Sequence, residues 1–466
     1  MKKHLKFKNT VSTSILVCFV YWMYLLFNSQ PQASCDALGY ELLGRYIYNQ
    51  GWAEYFKTGP NREPLYPFII AFSMKAGEAF SVSYYKIQIF LQILMLLATQ
   101  LLSLVILRKL GVSKILQIAV ILYLGFSPAI VNSAFSLFSE IVVLPLVLGI
   151  ILISVFLFKN IGRALYVKLI AYSGAFSALF LLATFAKGVF RYVFIIFLLF
   201  YIFEGSLYLL RKKIRAFNEI LFFTAASFIF FNGFFFLYKG LNLKYNGNFE
   251  FTDRYGSLLY GNALKRSEKL NTRIFLAHLA SIPGEGVASI FFEPEEVKYC
   301  GFERADYLRS QVSHLTDREI VPLAYRLFLK RPCQYILFMG IESARMFFWE
   351  TTSLGFVQYP LRLQKLFDFR IFRDGIRLVM SLLTITSFFW LAVEVIKKRK
   401  ILFKAELTES EPEQLLFFML MLIASYIGMH SLFSVVTRYA LPIAPLYLIT
   451  SACFLNNLMQ RRVVHK

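Results

Sequence analysis

Cysteine is scarce in this sequence and follows no pattern. Five residues in 466 include no spacing that a metal site needs. Cys18 and Cys453 fall within apolar runs, where a thiol is an ordinary small hydrophobe. Cys35, Cys300 and Cys333 lie outside those runs, and one disulfide among them stays open. Internal repeats and low-complexity tracts are absent, which removes solenoids and compositionally biased tails from consideration. Acidic residues are few, 28 against 50 basic ones, for a net charge of +22. That excess does not point to nucleic acid, because the basic residues are not gathered on one soluble face. They sit in short clusters between apolar runs, as anchors facing cytoplasm and anionic lipid do. The start, "MKKHLKFKNTVSTSILVCFVYWMYLLFN", has a charged n-region, but its apolar run lacks a small-residue cleavage site and reads as an uncleaved first helix.

Apolar residues dominate what remains. They make up 58% of the chain and aromatics 18%, with 51 phenylalanines. A soluble domain cannot bury that much apolar surface, and several runs exceed the roughly 18 residues of a spanning helix. The expected fold is an all-α polytopic membrane protein of about ten (10–12) transmembrane helices. Spans are predicted at about 11–28, 84–107, 115–131, 137–158, 169–186, 189–210, 217–238, 375–396, 415–434 and 439–458. Basic clusters then set the orientation: Lys2, Lys3, Lys6 and Lys8; Arg108, Lys109 and Lys114; Lys159, Arg163 and Lys168; Arg211, Lys212, Lys213 and Arg215; Lys397 to Lys400; Arg461 and Arg462. All of them face the cytoplasm if both termini do.

The segment 332–350, "PCQYILFMGIESARMFFWE", is apolar but carries Glu342 and Arg345. Crossing alone, it would turn the 397–400 cluster outward, so an interfacial or re-entrant helix is expected. The chain thus divides into an N-terminal transmembrane module (1–238) with a first outer loop (29–83), an outer subdomain (239–374), and C-terminal spans (375–466). The stretch 404–414 reads as a short cytoplasmic linker.

On this orientation Asp36, Arg62, Glu63, Glu140, Lys187, Arg191, Arg438 and, more weakly, His430 all lie near helix ends on the outer side. Ionisable groups at a membrane boundary are costly and tend to have a task. Cations in a poorly solvated site hold phosphate, and a nearby carboxylate takes a proton from a hydroxyl. Each group also has a plainer reading. Asp36 can cap the helix that follows, Glu140 suits a helix N-terminus, and Lys187 and Arg191 can snorkel. Arg62 can be a turn residue paired with Glu63, Arg438 can mark the membrane edge, and His430 reads as a satisfied helix-end histidine. No dense acidic cluster outside the membrane demands a divalent ion, so neither metal nor other cofactor is expected.

These residues carry a resemblance. Asp36 followed by Tyr40 in "DALGY", an amphipathic helix, and then Arg62, Pro64, Tyr66 and Pro67 in "REPLYP" resemble the first outer loop of the GT-C glycosyltransferases. The similarity is closest to the branch of the protein O-mannosyltransferases and the lipid A aminoarabinose transferase. "FSE" (Phe138 to Glu140) resembles that branch's acid at the start of its fourth helix. "LLATFAKGVFRYVFIIFLL" resembles its hairpin with a basic residue, and "TRYALPIAPLYLI", with Arg438 and Tyr439, its Arg-Tyr-x-x-Pro ending. The resemblance covers about 10–210 and 435–450.

It implies a GT-C-like bundle that moves a sugar from a polyprenyl-phosphate donor to an acceptor hydroxyl, with inversion, on the outer side. Asp36 would be the base. Lys187, Arg191, Arg438 and Arg62 would hold the donor phosphate, and Glu140, Tyr40, Tyr66 and Tyr439 would support them. The partners are that donor, an acceptor glycan, lipid or protein, and the bilayer. The sequence departs from several relatives in placing Ala37, not a second acid, after Asp36. Glu41 lies on another helical face and cannot substitute. Two other classes compete: a transporter or flippase for a lipid-linked saccharide, and an O-antigen-type polymerase. Transporters favour mid-membrane polar sites and repeated halves, whereas here the unusual charges lie at one end of the helices and no repeat is visible; the loop after the first span separates the chain from such polymerases, which carry key arginines in a late loop. The compact single chain and short cytoplasmic loops lean towards a bacterial inner membrane.

Overall fold

A computed structural model of the chain describes residues 2–32, 36–252, 255–268, 271–300, 307–308, 310, 315, 317–350, 356–397, 410–433 and 435–464. The chain is an all-α polytopic membrane protein. Helix α1 (Lys2–Asn28) contributes the first apolar span, Thr10–Asn28. Three shorter helices follow outside the spans: α2 (Asp36–Gln50), α3 (Trp52–Lys57) and α4 (Leu65–Ala79). Then come α5 (Tyr84–Lys109), α6 (Lys114–Phe126), α7 (Pro128–Phe135), α8 (Glu140–Asn160), α9 (Tyr166–Ala186), α10 (Phe190–Leu210) and α11 (Ile214–Asn246). Beyond the segment that follows α11, three further spans occupy Ile371–Lys397, Glu411–Phe433 and Thr437–Arg461.

Among the described residues nine helices are long and apolar enough to cross alone. The predicted span 115–131 is different: it is the pair α6 and α7, bent by 45°. Ser127 and Pro128 make the break. The Ser127 side chain accepts from Ile130 N at 3.2 Å, and Pro128 takes the first helical position, where its missing N–H costs nothing. The carboxylate of Glu350 closes the gap, accepting from Ser127 Oγ at 2.8 Å, Ala129 N at 2.9 Å and Tyr123 Oη at 2.9 Å.

Contacts at the helix ends show that this broken pair joins opposite faces of the bundle. On one face Lys109 pairs with Glu411, Lys159 lies 3.7 Å from the same carboxylate, and Ser113 N donates to Asn456 at 2.9 Å. Gly162 N donates there to Glu219 at 2.6 Å. The other face holds Asp36, Glu140, Lys187 and Arg438. Helix α6 starts at the first face beside Asn456, and the chain leaving α7 reaches Glu140 at the second. With the pair counted as one span, ten segments among the described residues are long and apolar enough to cross.

Helix α8 and the last span, Thr437–Arg461, are the most enclosed parts of the bundle: their most apolar stretches are 78% and 83% buried, whereas that of α11 is only 33% buried. Glu140 and Arg438, near the starts of these two segments, meet on the Asp36 face. Helix α1 is set against α6 by a close approach at Gly125. A Cβ there would lie 2.2 Å from Cys18 Sγ, and Trp22 Nε1 donates to the Gly125 carbonyl at 2.8 Å. Gly125→Val should therefore cost about 1–3 kcal/mol by overpacking, read as a lowered melting temperature of the chain in detergent.

Two boundaries differ from the sequence reading. Helix α11 runs past residue 238 to Asn246, and Gly247 ends it in the left-handed conformation, φ +79°. Lys239, Asn242 and Lys244 end the apolar run without ending the helix. Within 332–350, helix Pro332–Ser343 has 12 residues and gives way to a 3-10 turn, Ala344–Phe347. At 1.5 Å per residue that helix is roughly 18 Å long, short of a hydrocarbon core of roughly 30 Å. One strand pair, Gln30–Pro31 with Val357–Gln358, ties the end of α1 to the segment that follows.

Cys300 is buried and Cys333 exposed, and both are free thiols; Cys35 lies outside the described residues, as do Lys398 to Lys400 and the 404–409 part of the linker.

Candidate functional site

Asp36 is the first residue of α2, and the loop before α4 delivers its first partner. After α3, Gly59 (φ +87°) supplies a left-handed turn, and Asn61 hydrogen-bonds back to Gly59 and Thr58. Arg62 then lies across α2. A Cβ on Gly39 would come within 3.0 Å of Arg62 Nε, so the glycine lets the guanidinium lie close against α2. Arg62 Nη2 pairs with Asp36 Oδ1 at 2.9 Å, and its guanidinium sits 5.0 Å from the ring centre of Tyr40, one turn along α2.

From the other end of the sequence comes Arg438, in the 3-10 helix Thr437–Ile443. Its Nη2 donates to Asp36 Oδ2 at 2.5 Å, and its Nε lies 3.4 Å from Glu140 Oε1. Lys187 Nζ donates to the same Glu140 oxygen at 2.9 Å. Lys187 occupies the sharp connection between α9 and α10, where its backbone turns extended. These contacts form one chain of alternating charge: Arg62, Asp36, Arg438, Glu140, Lys187. Four of its members come from α2, α8 and the approaches to α4 and α10, and the fifth lies more than 240 residues later. Glu140 is almost wholly buried, with 1% of its surface exposed.

Aromatic rings wall the group. Phe138 lies 4.5 Å from the Arg438 guanidinium, and Tyr439 lies 6.0 Å from it and 5.7 Å from Lys187 Nζ. Tyr40 Oη is 3.3 Å from Ser139 Oγ, which fixes α2 against the start of α8. Tyr66 meets the Tyr40 ring edge-on at 5.1 Å, but its hydroxyl turns into the bundle and donates to Gln92 at 2.6 Å. Gln92 Nε2 in turn donates to the carbonyls of Ala134 and Ser136 at 2.7 and 3.0 Å. Tyr66 thus supports the 134–140 segment from below and does not line the charged group. Glu63 Oε1 accepts from Gly188 N at 3.2 Å, so it holds the Lys187 turn.

Electrostatics follow from these distances. Burial works against ionisation of Asp36, but Arg62, Arg438 and Lys187 outweigh it and hold the carboxyl well below its ordinary value. Burial likewise opposes the charge of Lys187, and Glu140 more than compensates, so its ammonium is held above its usual range. A group built this way keeps its charges fixed at neutral pH and can position an anion, and its most accessible carboxylate can receive a proton.

The sequence-predicted residues Asp36, Arg62, Glu140, Lys187, Arg438, Tyr40 and Tyr439 therefore come together. The contacts that place Arg191, on the first turn of α10, run to Tyr192, which accepts from its guanidinium and lies beneath it at 4.5 Å. His430 packs its ring against Tyr426 and Tyr439 at 4.6 and 5.1 Å. Glu41 faces away, taking Arg45 at 2.7 Å and the Tyr84 hydroxyl at 2.6 Å, as its position on another helical face predicts. Sequence reasoning missed Gln88 and Gln92, joined at 3.0 Å, and the buried Glu350. The two amides at i and i+4 in an apolar run were the available signal; Glu350 offered none, because its partners are over 220 residues away. Among the described residues no three His, Cys, Asp or Glu side chains gather as metal ligands. No protein-family model matches the chain, and no curated protein matches it.

Proposed function

We propose that the chain is a membrane glycosyltransferase of the GT-C type, moving a sugar from a polyprenyl-phosphate donor to an acceptor hydroxyl. The observation that carries this reading is the alternating chain Arg62–Asp36–Arg438–Glu140–Lys187 at one end of the helical bundle. It offers what an inverting transfer at a lipid surface needs. Arg62, Arg438 and Lys187 hold the donor phosphate, with Arg191 at the edge of the same face, and stabilise the charge that develops on it. Asp36 takes the acceptor's proton while the acceptor oxygen bonds to the anomeric carbon. The anomeric C–O bond to phosphate breaks, and polyprenyl phosphate leaves with the bonding pair. Glu140 fixes Lys187 and Arg438, and Tyr40 and Tyr439 wall the site. Lys109, Lys159 and Arg215 on the opposite face support a cytoplasmic placement of that face and a site facing outward, and we read the membrane as a bacterial inner membrane.

The test uses the full chain in proteoliposomes with a radiolabelled polyprenyl-phosphate sugar and pooled glycan, lipid and peptide acceptors. Acceptor-dependent release of polyprenyl phosphate is expected. Its absence with every acceptor, alongside movement of the intact lipid-linked sugar between leaflets, would establish a flippase instead. Single cysteines placed at 36, 61 and 438, where the native side chains are partly or fully exposed, should all react with an impermeant maleimide from outside the cell; labelling of any of them from the cytoplasm contradicts the orientation.

A further inference from the structure

A phosphate and Asp36 require the same donors. Both oxygens of Asp36 are engaged, one by Arg62 at 2.9 Å and the other by Arg438 at 2.5 Å. Those guanidinium groups are also the ones placed to grip a phosphate. Arg62, Lys187 and Arg438 face Asp36, Glu140 and Glu63, with Arg191 against Tyr192 at the edge, so a phosphate gripped by Arg62 and Arg438 competes with a carboxylate for the same donors. Glu140 is poorly suited to give way, with its side chain 1% exposed and set at the N-terminus of α8 beside Lys187. Glu63 is tied to the backbone of Gly188. Asp36 is the mobile one: 27% of its side chain is exposed, and Arg62 and Arg438 are themselves 17% and 25% exposed. Arg438 Nε faces Glu140 Oε1 at 3.4 Å without a hydrogen bond, so the guanidinium keeps this ion pair as its Nη2 leaves Asp36.

We propose that the donor phosphate takes Arg62 and Arg438 from Asp36, and that this exchange converts Asp36 from an ion-pair partner into the base, so that donor binds before acceptor. The inference rests on the glycosyltransferase reading and adds an order of events to it. It also balances the charge of the reaction. The donor is a phosphodiester with one negative charge, and the departing polyprenyl phosphate carries one more once its bond to the sugar breaks. Asp36 loses its charge in the same step by taking the acceptor proton. The two arginines stay with the phosphate throughout, and the net charge of the site does not change.

The experiment measures binding, not transfer. Farnesyl phosphate is titrated against the purified full chain in detergent, with farnesol as the control for the lipid tail. Wild type, Asp36→Asn and Arg438→Gln are compared, and their melting temperatures without ligand confirm folding. Asp36→Asn should bind farnesyl phosphate at least about fivefold more tightly than wild type, in the usual range for two coupled sites. Arg438→Gln should bind at least about tenfold more weakly. Where Asp36→Asn folds poorly, Asp36→Ser also removes the charge and gives the same comparison. Phosphate-dependent binding that the Asp36 variants leave unchanged or weaken overturns the exchange alone. Binding of farnesyl phosphate no tighter than farnesol in every variant overturns the phosphate site and the exchange together.

Discussion

Asp36→Asn should lower sugar transfer about a thousandfold, within the usual range for losing a general base, while the protein stays folded. The substitution keeps the size of the side chain and one oxygen able to accept from Arg438 or Arg62. What it removes is the capacity to receive a proton. The measurement is single-turnover transfer at saturating donor, compared with the melting temperature of the same preparation. Transfer within tenfold of wild type would exclude Asp36 as the base. The pH dependence separates the base from its arginine partners. Burial, outweighed by Arg62, Arg438 and Lys187, leaves the carboxyl depressed. A depressed carboxylate contributes stability that is present above its unfolded value of about 3.9 and lost as pH falls through the folded value. The melting temperatures of wild type and Asp36→Asn should therefore differ at neutral pH and converge on acidification. The acid limb of kcat/KM, which reports the free enzyme, should lie below the ordinary carboxylate range. The acid limb of kcat should lie higher, because a bound phosphate then holds the arginines.

Much of this arrangement is legible in the sequence, for reasons that differ from part to part. The crossings are legible because a bilayer demands about 20 apolar residues in a row, and runs such as 140–160 satisfy that without reference to anything else. The break at Ser127 and Pro128 is written locally as a cap and a proline, but its partner Glu350 arrives from a distant segment. The overrun of α11 escapes hydropathy because polarity ends a membrane run, while only Gly247 ends the helix. The charged site is legible for the same reason as the spans. An acid or base beside an apolar run is expensive, so Asp36, Glu140, Lys187 and Arg438 stand out before any contact is known. Spacing alone could not order them. It places Arg191 as near to Lys187 as a helical turn allows, yet Tyr192 takes that guanidinium, and it gives no sign that Tyr66 turns towards Gln92.

Glu140→Ala is expected to have the largest effect on stability. The carboxylate is buried at the head of α8, and its Oε1 serves both Lys187 at 2.9 Å and Arg438 Nε at 3.4 Å. Removing it leaves two cations facing each other across an apolar wall of Phe138 and Tyr439. Breaking a buried pair by deleting one partner costs about 3 kcal/mol or more, because the remaining charge stays desolvated. Lys187 and Arg438 are 14% and 25% exposed, which places the expected loss at about 3 kcal/mol, the lower end of that range. Glu140→Gln should cost less, since an amide oxygen still accepts from Lys187. The double variant Glu140→Gln, Lys187→Met should recover most of the loss, because it withdraws one acid and one base together. A double-mutant cycle on detergent melting gives the coupling directly. Additive losses would mean that Glu140 and Lys187 act independently, and the alternating chain would then end at Glu140. A positive coupling with transfer still abolished in the double variant would show that Lys187 is needed for its charge towards the donor phosphate, beyond its pairing with Glu140.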